Sequence, residues 1–599
     1  MKINMLTCGL PLLFLGLTSF ASTPNQATHP LACDEALKEQ FQPDDQTQVV
    51  LVKHYKKGEK LALPGDNDKM APPASADICL VKLNVGPGNP GPADAPSTSA
   101  GIGIEVWLPE HDTWNERIHA VGGGGWQGGG AGSPDYIGSP FSAMIALSEG
   151  AVSSSTNAGH STAPKLYGVP LSNGDFMMQP DGSINKTLWE DFSHRAIHEQ
   201  AVKTKQLTKA YYGKPHRYAY WEGSSLGGRQ GHKLAQKYPN DFDGIIANMP
   251  ALYWTRLLPT MAYPHIVTQN DLKGQPLSKA QLDLASNAAI HACDEVGGVH
   301  LGYIMDPAAC DYNPATDPKV LCEANGGTNN SDDCLTTAQA QAINKMWYGQ
   351  TTDGSAPAPA TNNGVNSDLA DKQLWYGVTR GTSLWNAFFS GLFGLPAGVA
   401  HPEGPFFLST DQLALQLQDP TIADESFKNA VSNGENGWRK LTYAQAADAI
   451  ERGVALNSEF SEIDTNNADL SPFKASGGKL LAWHGINDEV IPVQGLMHYY
   501  EDVVETLGGL ENVQSFYRIF LIPGAGHESP NGTSNRQAKP PIIQPGQMYK
   551  LMVDWVEKGI APERIEMRSA TTTQPACVYP QKATYTEGDP HHTDSFRCQ

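Results

Sequence analysis

Residues 216–250 constrain this chain more than any other stretch. "HRYAYWEG" is a short aromatic run of strand character, "GSSLG" a turn, "GRQGHKLAQKY" a set of helix formers and "FDGIIANMP" a second strand. Strand, turn, helix and strand within about thirty residues require the two strands to run parallel, because the helix carries the chain back to the starting edge. The expected fold class is therefore α/β. A G-x-S-x-G match carries little weight alone in a chain with 59 glycines. Its place at a strand-to-helix turn changes that: such a turn lifts the hydroxyl of Ser225 above the sheet edge, and the glycines at 223 and 227 prevent side chains colliding across it. Ser225 is the candidate nucleophile.

A serine hydroxyl needs a base to take its proton, and the base needs a carboxylate to hold its tautomer. Two later strand-like runs end in loops that offer them: "KLLAWHG" leads into Asp488 and "YRIFLIPGAG" into His527. Ser, acid, His is the chain order of the α/β-hydrolase fold. Glu489 and Asp464 are the rival acids, and His484 reads as a supporting residue of the loop after its strand. The tract "GGGGWQGGG" at 122–130 interrupts a domain where a linker is out of place. Glycines there let a backbone N–H approach the substrate oxygen, so Gly125 and Leu226, the residue after the nucleophile, are the candidate oxyanion donors. Trp126, beside them, is a candidate substrate contact.

Around this unit the chain divides into a first hydrolase part at 22–251, an inserted lid at 252–470 and a second hydrolase part at 471–599. The first opens with a loosely structured segment over 22–75. Strands follow at "ICLVKLNV", "IGIEVWLP" and "RIHAVGGGGW", then a helix over "WEDFSHRAIHEQAVKTKQLTKAYYG" that stops at Gly213. The lid contains the low-complexity stretch "GQTTDGSAPAPATNNGVNSD" and the aromatic run "GTSLWNAFFSGLFG", whose Trp385, Phe388, Phe389 and Phe393 form either a wall against an aromatic ring or ordinary lid core. In the second part, "GQMYKLMVDWVEKG" is an amphipathic helix.

Lys2, the run "LTCGLPLLFLGL" and small residues at Ser19 and Ala21 mark residues 1–21 as a secretion signal, too short for a membrane anchor. Cys8 leaves with it. The remaining cysteines cluster as Cys33 with Cys79, Cys293 with Cys310, Cys322 with Cys334 and Cys577 with Cys598, which suggests near-neighbour disulfides in a secreted or periplasmic protein. None has zinc-site spacing, and no cofactor or metal is expected. A net charge of −21, spread along the chain, repels nucleic acid and anionic lipid, leaving a small-molecule partner.

Taken together, "GSSLGGRQG", "WHGINDEVIP", "LIPGAGH" and "GGGGW" resemble the tannase and feruloyl esterase family of secreted α/β-hydrolases, over nearly the whole mature chain. The resemblance implies hydrolysis of aromatic-acid esters, such as hydroxycinnamates or gallates, through an acyl-enzyme on Ser225. A feruloyl or chlorogenate esterase is the first expectation. The alternatives are a tannase, a peptidase on the same fold, for which no peptide-recognition site is identifiable, and a non-catalytic binding protein on this scaffold. Family members commonly join a cysteine before the nucleophile to one after the histidine; here Ser224 and Glu528 stand at those positions, which implies a more mobile histidine loop. They also commonly bind calcium between two lid cysteines. The corresponding "CDEVGGVHLGYIMDPAAC" keeps Asp294 but has Gly297 and Leu301 where acids are expected, too few for a cation that takes six to eight oxygens. In the terephthalate-monoester members an arginine clamps the free carboxylate; Phe389 falls there, so an uncharged phenolic acyl group is expected.

Overall fold

The computed structural model describes residues 30–161, 173–388, 404–527 and 531–599, with no side chain for Phe388. The expected signal at 1–21, Phe389, Phe393 and Glu528 lie outside the described residues.

A nine-stranded sheet organises the molecule. Its strands are β1 (Thr47–Tyr55), β2 (Ile78–Val85), β3 (Ile102–Pro109), β4 (Arg117–Val121), β5 (Val152–Thr156), β6 (Tyr218–Ser224), β7 (Gly244–Asn248), β8 (Lys479–Gly485) and β9 (Tyr517–Ile522). The spatial order is β1-β2-β3-β5-β4-β6-β7-β8-β9. β1, β2, β3 and β5 pair antiparallel, and every pairing from β5 to β9 is parallel. The parallel strands are largely buried, since helices cover both faces. These include α1 (Pro140–Glu149), α2 (Ala196–Tyr212), α3 (Leu226–Lys237), and α5 (Gln547–Lys558), whose Met548, Met552 and Trp555 pack on the face formed by Tyr220, Ile246, Leu481 and Phe520.

Two strands differ from the sequence expectation. The segment 22–75 is not uniformly loose: β1 lies inside it, as an edge strand whose outward positions are only partly covered, so its alternation is blurred by Lys53 and His54. β5, "VSSST", is buried at every position in the middle of the sheet although three of its five residues are serines. A hydroxyl run has no hydrophobic signature; part of its polar surface is paired, the Gln200 amide donating to the Ser154 carbonyl at 2.9 Å and the Thr156 hydroxyl to the Gly103 carbonyl at 2.8 Å.

Between β7 and β8, among the described residues, no strand joins the central sheet. This stretch is built from helices, including α4 (Lys279–Cys293), and from small hairpins such as Gly349–Thr351 with Gln373–Tyr376. Disulfides link Cys33 to Cys79, Cys293 to Cys310, Cys322 to Cys334 and Cys577 to Cys598. No helix among the described residues is long and apolar enough to cross a membrane.

Candidate active site

β6 delivers Ser225 to the N-terminus of α3 with φ 60° and ψ −119°, a conformation that costs a non-glycine residue about 1–3 kcal/mol. Contacts on both sides impose it. The Ser225 N–H donates to the Asn248 carbonyl at 3.0 Å, and the Ser225 carbonyl accepts from Arg229 at 3.0 Å and Ala251 at 3.2 Å. Glycines make the turn possible: a Cβ on Gly223 would lie 2.6 Å from the Gly227 carbonyl, and one on Gly228 would lie 2.2 Å from the Asn248 oxygen. The Ser225 hydroxyl does not cap α3, so it stays available to the cavity above.

Asp488 lies in the loop after β8 and accepts from four donors. Its Oδ1 accepts the N–H groups of Val490 and Ile491, both at 2.8 Å; its Oδ2 meets His527 Nδ1 at 2.9 Å and His484 Nε2 at 3.1 Å. Burial alone would push this carboxyl up, but the charge of His527 and the hydrogen bonds from both imidazoles hold it well below the usual carboxylate range. An ionised acid is thus kept against Nδ1 of His527, leaving Nε2 as the ring atom for proton exchange. His484 also meets the Ile491 carbonyl at 2.9 Å, bracing the acid loop.

The rival acids do other work. Asp464 accepts from the Thr255 N–H at 2.9 Å and the Thr255 hydroxyl at 2.8 Å, at the start of the helix Trp254–Thr260. Glu489 turns under the histidine loop, where its Oε2 accepts the backbone N–H of His527 at 2.9 Å. Gly524 donates to the Asn487 side chain at 3.0 Å, so Asn487 and Glu489 together tie down the segment from Gly524 to His527.

Burial and the adjacent charge of Asp488 push the Glu489 carboxyl up to about 7. A raised carboxyl favours the folded state most below its ordinary value of 4.5, and that contribution is lost as the pH rises through about 7. Glu489→Gln has no such titration. Relative to the parent, its thermal midpoint is therefore expected to rise between pH 4.5 and 7, measured by unfolding scans across that range; a constant offset would contradict this.

Ser225 and His527 line one cavity of about 580 Å³, together with Gly122, Gly123, Gly124 and Gly125. Gly125 has φ +51°, and the tract is locked to the nucleophile helix: Gly227 N–H donates to the Gly123 carbonyl at 2.8 Å and Gly123 N–H to Gln230 Oε1 at 3.0 Å. Leu226 opens α3, where backbone N–H groups have no intrahelical partner, so its amide suits an oxyanion. Gln230, one turn further on, had no signal beyond its place in the motif.

Trp126 is not a cavity wall. It is fully buried among Phe176, Trp189, Phe192 and Trp254, anchoring the glycine tract from below. An aromatic beside a glycine run reads equally as wall or anchor, and packing decided for anchor. Trp385, in the short helix Leu384–Phe388, packs against the helical core of the inserted stretch and does not line the cavity. The apolar lining comes instead from Phe141 and Met144 on α1, and from Phe406, Leu408 and Val490. Phe141 and Met144 share the outer face of α1, while Phe406 and Leu408 sit at a helix start and Val490 in the loop after β8, so no single sequence pattern marks the set. Among the described lining residues there is no lysine or arginine, and the one acid is Glu222.

A family profile described as tannase and feruloyl esterase matches residues 90–599. A probable feruloyl esterase of Arthroderma benhamiae is 33% identical over 538 residues, covering 88% of this chain and 86% of that one. Among solved structures, an esterase from Aspergillus oryzae aligns with TM-score 0.70 at 25% identity, covering 95% of this chain and 99% of the other. The tannin acyl hydrolase of Aspergillus niger shares the fold, with TM-score 0.68 at 20% identity over 95% of each chain.

Proposed function

The chain belongs to the tannase and feruloyl esterase family, and from that premise we propose that this carboxylic ester hydrolase cleaves phenolic-acid esters with Ser225 as nucleophile. In this reading Ser225 Oγ attacks the ester carbonyl while His527 Nε2 takes its proton. Asp488 stabilises the resulting imidazolium through Nδ1. The oxyanion, whose charge develops only in the transition state, accepts in this reading from the N–H groups of Leu226 and Gly125. Collapse expels the alcohol, protonated by His527, and leaves the acyl group on Ser225. A water, deprotonated by the same imidazole, then releases the acid. Two glycine-bearing loops, pinned to each other through Gln230 and Gly227, hold both oxyanion donors in register, so little reorganisation is needed during the reaction.

The acyl preference rests on one observation: an apolar cavity without lysine or arginine among its described lining residues. An aromatic ring gains by leaving water there, whereas a free carboxylate would enter unpaired and face Glu222. Four disulfides support export, so we assign the protein to a secreted or periplasmic location, acting on small soluble esters. Steady-state assays with methyl ferulate, methyl gallate and a terephthalate monoester test the assignment. Methyl ferulate is expected to exceed the terephthalate monoester in kcat/KM by at least about tenfold, the equivalent of one poorly compensated charge. Preference for the terephthalate monoester, or hydrolysis of none of the three, would overturn it.

A further inference from the structure

The hairpin that closes the Cys293–Cys310 loop holds a side-chain cluster remote in chemistry from the esterase cavity. His291 lies on the last turn of α4, Asp294 directly follows the helix, and His300 returns on the hairpin formed by Glu295–Val296 and Val299–His300. One ligand-type atom from each of the three lies within 4.8 Å of the others. The imidazoles of His291 and His300 stack with centroids 4.5 Å apart, and His300 Nδ1 meets Asp294 Oδ1 at 2.6 Å. The second Asp294 oxygen is fixed by the Gly302 N–H at 2.7 Å, and the disulfide fastens the segment to Cys310.

Calcium does not fit this place. Asp294 is the one carboxylate in the three-residue set, and its oxygens already accept from an imidazole and an amide. Gly297 faces the Tyr585 ring, 2.5 Å from where a Cβ would stand, and Leu301 is a buried apolar side chain, so neither position supplies a side-chain oxygen. A hard cation needs far more oxygen than this.

We propose that His291, Asp294 and His300 form a binding site for a borderline divalent transition metal such as Zn²⁺, through two imidazole nitrogens and one carboxylate oxygen, with water completing the shell. Two nitrogens and an oxygen match the ligand preference of zinc, copper and nickel and reject calcium and magnesium. The backbone presents the three groups from one helix end and one disulfide-closed hairpin, so binding needs only side-chain rotation: the His300–Asp294 hydrogen bond opens by enough to admit the ion. The ligands sit in an open depression that Arg536 also lines, and its charge limits the affinity. The ion here clamps the hairpin and takes no part in ester cleavage.

Calorimetric titration of the intact protein with Zn²⁺ and, separately, Ca²⁺ tests this. One equivalent of Zn²⁺ is expected to bind, with Ca²⁺ giving no saturable heat over the same range. His300→Ala and His291→Ala should each weaken Zn²⁺ binding at least about tenfold, while His54→Ala, in the separate group with Asp77 and Glu110, should leave it unchanged. Both test histidines are exposed, so their variants should retain the parent's circular dichroism and esterase rate. Zn²⁺ binding that persists unaltered in the His291→Ala/His300→Ala double variant, absence of saturable Zn²⁺ binding to the parent, or preferential binding of Ca²⁺ would each overturn the proposal.

Discussion

Ser225→Ala is expected to reduce kcat/KM toward methyl ferulate by on the order of 10⁴-fold or more while leaving the protein folded. The substitution removes one oxygen and keeps the Cβ. The backbone at φ 60° is held by the Asn248, Ala251 and Arg229 contacts, all of them to main-chain atoms of residue 225 that alanine retains. Because the hydroxyl does not cap α3, its loss should leave the thermal midpoint essentially unchanged. Activity and stability are thus predicted to separate cleanly. Rates and unfolding scans on one preparation measure both, and retention of more than a few per cent of the activity by a folded variant would be incompatible with the proposed mechanism.

Arg229→Met should do the reverse, striking the fold first and activity in consequence. The guanidinium is fully buried yet donates to four acceptors: Ile463 O at 3.1 Å, Thr465 Oγ1 at 3.0 Å, Phe192 O at 3.2 Å and Ser193 O at 2.7 Å. Lys233, one turn later, donates to the carbonyls of Glu462 and Asp464 at 2.6 and 3.1 Å. This face of α3 therefore stitches the nucleophile helix to the chain as it returns toward β8, and to the turn before α2. Burial lowers the Arg229 pKa to about 9, with Asp464 pulling the other way, so the cation persists at neutral pH. Methionine fills similar volume but strands buried carbonyls without donors. The expected loss is about 3–5 kcal/mol of unfolding free energy, read as a lower urea midpoint. An unchanged midpoint would show that these contacts carry no net stability.

Neither arginine nor lysine announced this role in the sequence, where "GGRQGHK" reads only as helix formers behind a turn. What was legible depended on whether a residue's job leaves a pattern. β2 and β3 are long apolar runs bounded by turns, and they form over the bounds of those runs. Asp488 and His527 each follow a strand of such a run, and the pairing of the two strands in parallel brings their loops together. β5 escaped notice because its buried residues are mostly hydroxyl-bearing and leave no apolar pattern. The cavity wall escaped because Phe141, Met144, Phe406 and Leu408 come from unrelated segments that converge only in three dimensions. Trp126 was misassigned for the converse reason: nearness in sequence to a functional tract does not say on which side of the backbone a ring packs.

Covalent trapping tests the central claim most directly. On incubation with a fluorophosphonate, intact-mass measurement should show one adduct per chain, peptide mapping should place it on Ser225, and the adduct should be absent from Ser225→Ala. An adduct on another residue, or continued ester hydrolysis by protein fully labelled at Ser225, would contradict the account.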